Sequence, residues 1–150
     1  MKYIKLSDVE LKIGEYLAQR RMKDSAALQL AGVNGAQRDL SIDLLGALCE
    51  LAFAKFMNYY PGFTVGTYKA NDVADFQVRG TRYLNGRLIV RENDKNTDKF
   101  VLVIDKQNGE FLIAGWLSGA EAKRIGKYEK VGSRPAAWFV DQAQLKEVEA

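Results

Sequence analysis

Histidine is absent from all 150 residues. A Ser-His-Asp triad, a histidine-based metal nuclease and a Cys/His zinc site are therefore closed to this chain. Any catalysis must come from carboxylates, amides, Lys, Arg, Tyr or a hard cation. Cysteine is nearly absent as well. The single Cys49 cannot form an internal disulfide, and with no histidine base nearby it reads as a small buried hydrophobe within Leu48-Cys49-Glu50-Leu51. No apolar run approaches the roughly 20 residues that a membrane span needs. The opening Met1–Ser7 stretch lacks a signal-peptide core. These absences lead to the expectation of a cytoplasmic protein with no membrane partner.

What is present suits one domain spanning 1–150, with an N-terminal helical extension over about 1–37. The chain is 47% hydrophobic, with seven Phe, seven Tyr and two Trp. Its 22 basic and 19 acidic residues give a net charge of +3, which is compatible with nucleic acid but does not select it. A capping box, Ser7-Asp8-Val9-Glu10, announces a first helix to about Arg21, with Val9, Ile13, Tyr16 and Leu17 at helical spacing. Gly32, Asn34 and Gly35 break the pattern, so 22–37 reads as a mobile loop with a short helical turn near 26–30. A second helix, about Leu40 to Asn58, is apolar almost all round and should be central. From Phe63 onward the pattern is β: Phe63–Tyr68, Asp75–Tyr83, Arg87–Arg91, Phe100–Ile104 and Phe111–Trp116. Asn85-Gly86 and Asn108-Gly109 are hairpin turn signals. A second capping box starts a short helix at Ser118, and a strand at Ala137–Val140 precedes a last helical turn from Asp141. The expected class is α/β (α+β), a mostly antiparallel hairpin sheet with the buried helix packed on it.

Five residues, Glu50, Asp72, Asp75, Gln77 and Arg79, carry candidate chemistry. Glu50 lies in the most apolar helix, and three of its neighbours at helical spacing, Gly46, Ala47 and Ala54, are small. A buried carboxylate needs a cation, so Glu50 reads either as a metal ligand or as the partner of an arginine. Asp72 and Asp75 are either turn residues or the acidic end of a converging site. Gln77 and Arg79 share one face of a strand while Phe76 and Val78 take the other. Glu50, Asp72 and a Gln77 oxygen would suit Mg²⁺, and Arg79 would hold a phosphate oxygen. Arg87 and Arg91 share a strand face with Ile89 between them, and Arg79 and Arg82 lead into that strand. Lys123, Arg124, Lys127, Lys130 and Arg134 form a second basic run. Trp116 and Trp138 read as core.

The stretch Gly46-Ala47-Leu48-Cys49-Glu50-Leu51-Ala52-Phe53 resembles the first core helix of PD-(D/E)XK phosphodiesterase domains. Asp72-Val73-Ala74-Asp75-Phe76-Gln77-Val78-Arg79-Gly80-Thr81 resembles their D…(E/Q)xK signature. Thr81–Val90 and Gly115–Gly119 are similar to the following elements of a phage and bacterial subgroup, and the likeness spans about residues 40–145. The resemblance implies a restriction-endonuclease-like core, a mixed β-sheet flanked by helices. It also implies a nuclease using Mg²⁺ or Mn²⁺, with Glu50, Asp72, Gln77 and Arg79 as site residues and Arg82, Arg87 and Arg91 on DNA. Gln77 stands where the family has an acidic ligand, and Arg79 stands where it has a lysine. Arginine keeps its proton near neutral pH and cannot act as a base. The alternative is a domain of this fold that binds DNA or a protein partner without cutting, as a monomer or a homodimer.

Overall fold

The computed structural model describes residues 1–30, 40–59 and 72–150, with side chains at all of these except 24–30 and 72. The first capping box forms as expected. The Ser7 amide donates to Glu10 Oε1 at 2.8 Å, and the Glu10 amide donates to Ser7 Oγ at 3.2 Å. Helix α1 then runs Asp8–Leu30, so the expected loop from 22 is helical up to 30; the remainder of it lies outside the described residues. The apolar stripe divides. Leu17 and Ala18 are buried, whereas Val9, Ile13 and Tyr16 face solvent. Gly14 explains the turn of the helix, because a Cβ there would lie 2.3 Å from a Leu48 methyl of the next helix. Helix α2, Leu40–Phe56, is central as expected and buries Ala47, Leu48, Cys49, Ala52, Phe53 and Ala54. Desolvation there raises the Cys49 thiol far above its ordinary pKa, which keeps it protonated and unreactive.

Among the described residues eight strands form two sheets. Five of them, β1 (Lys2–Lys5), β2 (Asp72–Val73), β3 (Phe76–Thr81), β5 (Lys99–Asp105) and β6 (Glu110–Ser118), are ordered β1-β6-β5-β3-β2. The others, β4 (Leu88–Arg91), β7 (Lys127–Glu129) and β8 (Ala137–Val140), are ordered β4-β8-β7. The larger sheet is mixed, because β3 pairs with β5 in parallel. Asn108-Gly109 does close the β5–β6 hairpin, with Gly109 at φ +84. Asn85-Gly86 does not close one. The chain turns there, with the Gly86 amide donating to the Tyr83 carbonyl at 2.9 Å, but β4 leaves for the other sheet and pairs with β8. The expected strand at Phe63–Tyr68 lies outside the described residues.

Strand β5 sits at the centre, with everything from Phe100 to Asp105 buried. Val101 and Val103 face α2 in a cluster with Leu48, Cys49, Phe53, Phe76 and Ile113. Phe100 and Leu102 face the other way, meeting Leu88, Val90, Val140 and Ala122 of helix α3 (Gly119–Ile125). The molecule is thus layered: α1 and α2, then the five-stranded sheet, then α3 with the three-stranded sheet. Among the described residues no helix is long and apolar enough to cross a membrane. Helix α3 has its capping box, Ser118 with Glu121, and Lys146 closes on Glu121 at 2.5 Å. The hydrogen bond from Lys146, with those from Ser118, holds the Glu121 carboxyl below its ordinary range.

The register of β5 and β6 shifts by one residue at Leu102/Val103, opposite Gly115. Gly115 has φ +146, and a Cβ there would lie 2.6 Å from both Leu145 Cβ and the Lys146 carbonyl. The tail crosses at this point, where Trp116 and Lys146 exchange backbone hydrogen bonds at 2.9 and 3.0 Å. Gly115→Ala should therefore cost about 1–3 kcal/mol of stability in urea denaturation. A loss below about 0.5 kcal/mol, the range of an ordinary surface substitution, would contradict this account of the bulge.

Candidate nucleic-acid interface

Side chains alternate along β3, and the parallel pairing with β5 fixes which face each takes. Phe76 and Val78 join the cluster under α2. Gly80 lies on the same face, where a Cβ would come within 2.8 Å of Cys49 Sγ. Gln77 pairs with Phe100 and Arg79 with Leu102, so both point to the face away from α2. The expected sharing of faces along this strand is therefore observed. Asp72 is the backbone partner of Gln77. Between them, Ala74 and Asp75 take φ +50 and +68, the left-handed backbone of a two-residue hairpin turn, and Asp75 is exposed.

Glu50 does not meet Gln77. It projects from α2, on the opposite face of the five-stranded sheet, and its Oε2 accepts from Arg21 of α1 at 2.6 Å. Of the two roles open to it, the arginine partner is the one observed. Glu50 and Gln77 thus stand on opposite faces of the sheet, and the Asp72 side chain lies outside the described residues. The Gln77 amide is also turned unfavourably for a cation: its Nε2 donates to Asp98 Oδ2 at 2.6 Å. Among the described residues no group of three or more Cys, Asp or Glu is placed to hold a metal.

Gln77 instead begins a polar chain. Arg79 donates to Gln77 Oε1 at 3.5 Å and to Asp94 Oδ1 at 2.9 Å. Asp94 Oδ2 accepts the Arg91 amide at 2.8 Å, and Lys123 donates to the Asp94 carbonyl at 2.7 Å. Asp94 directly, and Asp98 through Gln77, fix the direction of Arg79. The guanidinium also lies over the Phe100 ring, 4.9 Å from its centroid. Lys123 is thereby tied down, which removes it from any free basic run.

Arg79, Arg87 and Arg91 line one open groove of about 580 Å³. Ile42, Leu45 and Gly46 of α2 form one wall, β3 from Val78 to Thr81 forms the edge, and Ile89 and Phe139 form the far side. Among the described residues no carboxylate lines it. Arg87 stacks over Phe139 at 4.5 Å and pairs with Glu129 at 2.8 Å. That hydrogen bond, which outweighs desolvation, keeps the Glu129 carboxyl below its ordinary range. Arg91 reaches the Pro135 carbonyl at 3.5 Å and has no carboxylate partner among the described residues. Arg82 lies outside the lining and serves as a brace, donating to Ser41 Oγ at 2.9 Å and to the Ser41 carbonyl at 2.7 Å. Tyr83, Phe139 and Ile42 went unnoticed in the sequence, where exposure at a groove rim leaves no periodic signal. Gly46 stands mid-helix, where glycine costs about 1 kcal/mol relative to alanine, yet a Cβ there would meet nothing within 4 Å among the described residues.

No protein-family model, curated protein or solved structure matches this chain significantly.

The contact between Gln77 and Asp98 gives a direct test of this geometry. Gln77→Glu replaces a donated hydrogen bond by two facing carboxylates, and should cost about 1–2 kcal/mol at pH 7. The cost should shrink near pH 4, where the pair can share a proton, and should vanish when Asp98→Asn is added. Chemical denaturation at both pH values checks it; an unchanged midpoint at pH 7 would mean the two side chains are apart.

Proposed function

We propose that this protein is a nucleic-acid-binding domain that holds DNA through phosphate contacts and does not cut it at a Glu50–Asp72–Gln77 metal centre. The observation that carries the reading is the convergence of Arg79, Arg87 and Arg91 on one groove with no acidic lining among the described residues. Planar guanidinium groups suit phosphate oxygens, and each neutralised phosphate releases bound counterions. Aromatic and aliphatic side chains beside them, Tyr83, Phe139 and Ile89, supply surface for sugars and bases. The nuclease reading, with Mg²⁺ or Mn²⁺ as cofactor, is less well supported, because Glu50 is engaged by Arg21 and Gln77 by Asp98. On this reading Arg87 and Arg91 are the phosphate contacts at the far side of the groove. Arg82 acts indirectly, by anchoring the segment that carries Tyr83.

Fluorescence anisotropy with labelled oligonucleotides in EDTA tests this reading. With three arginines on phosphates, log affinity should fall with log salt at a slope of about −2 on a single strand. Arg91→Ala should reduce that slope by about 0.7 and weaken binding about 5-fold at roughly 50 mM salt. Equal affinity at roughly 50 and 200 mM salt would contradict phosphate binding. Binding that appears only when Mg²⁺ is restored would return the metal-centred reading to the front.

A further inference from the structure

We propose that the groove takes a single-stranded segment of nucleic acid in preference to a duplex, its backbone passing over Gly46 and a base resting on Tyr83. This rests on the nucleic-acid-binding reading above. The profile of the groove argues for it. Its rims stand in solvent, with Tyr83 76% and Ile42 60% exposed, while its floor is Leu102 at 1% and the Arg79 side chain at 33%. Duplex phosphates lie on a broad convex surface and reach rims more easily than floors. A single strand is thin enough to enter, and a volume of 580 Å³ is that of a pocket for a few linked units.

Two further features fit the same occupant. Gly46 presents bare backbone to the groove, and no packing neighbour among the described residues accounts for the missing side chain. A glycine kept where a good helix former would fit leaves room for something outside the fold. Tyr83 is held in place at the rim. Its segment is fastened to α2 by Arg82 and Ser41, and Gln142 Nε2 donates to the carbonyls of Leu84 and Gly86, both at 2.9 Å. An aromatic ring carried on a fastened segment at the rim of an arginine-lined groove suits stacking on unpaired bases, and stacking tolerates any base. A duplex hides its base faces and gains nothing from Tyr83.

The test compares a labelled oligothymidylate of about 12 nucleotides, an oligouridylate of the same length, and a DNA hairpin duplex. The natural protein should bind the single strands at least about 10-fold more tightly than the duplex. Gly46→Leu should keep or raise the thermal midpoint, yet weaken single-strand binding at least about 10-fold while duplex binding stays within about 2-fold. Tyr83→Ala should cost about 10-fold on single strands. Equal or tighter duplex binding, or no effect of Gly46→Leu on single strands, overturns the strand preference and leaves phosphate binding intact. Absence of binding to all three probes at low salt overturns both; an oligoglutamate peptide that binds in their place and is displaced by Gly46→Leu would assign the groove to an acidic protein segment.

Discussion

Strand β5 is buried on both faces, and this double burial decides what every other element can do. A strand with helices on one side and a second sheet on the other must be apolar throughout, as Phe100-Val101-Leu102-Val103-Ile104 is. Its parallel neighbour β3 inherits the same two environments in alternation. Phe76, Val78 and Gly80 are committed to α2, and Gln77 and Arg79 to the other layer. A polar residue in that second layer needs a partner, which Asp98 and Asp94 provide. The arginine so fixed has its charge at the groove floor. The groove chemistry is thus a consequence of the core.

Local signals in the sequence were reliable where the physics is local. Both capping boxes form, the Asn108-Gly109 hairpin closes, and Ala137–Val140 is a strand with those bounds. The α+β class, with the apolar helix packed on a sheet, is also what the structure has. Signals failed where a distant partner decides. Asn85-Gly86 makes a turn, yet the strands it joins separate because β8 lies beside β4. β1 and β7 were missed because their short, polar sequences become strands only beside β6 and β8. The parallel pairing of β3 with β5 could not be read from turn residues at all.

The candidate site shows the same division. Alternation along β3 correctly put Gln77 and Arg79 together, and the spacing of Arg87, Ile89 and Arg91 correctly put them on one face. Neither pattern reveals which face of the sheet α2 covers. That single choice separates Glu50 from Gln77 and hands Glu50 to Arg21. A half-buried pair of this kind holds α1 to α2, since removing either partner leaves the other charge poorly solvated. Glu50 is therefore explained by helix packing, and its apolar surroundings made it stand out for a structural reason.

Amide chemical-shift mapping of the ¹⁵N-labelled protein during titration with oligothymidylate tests the central claim most directly. The account predicts that the largest shifts fall on Gly46, Gly80, Tyr83, Gly86 and Arg91 around the groove, with the exposed face of α1 at Val9, Ile13 and Tyr16 unmoved. Shifts centred on Glu50 and Arg21, or on the exposed face of α1, would contradict it.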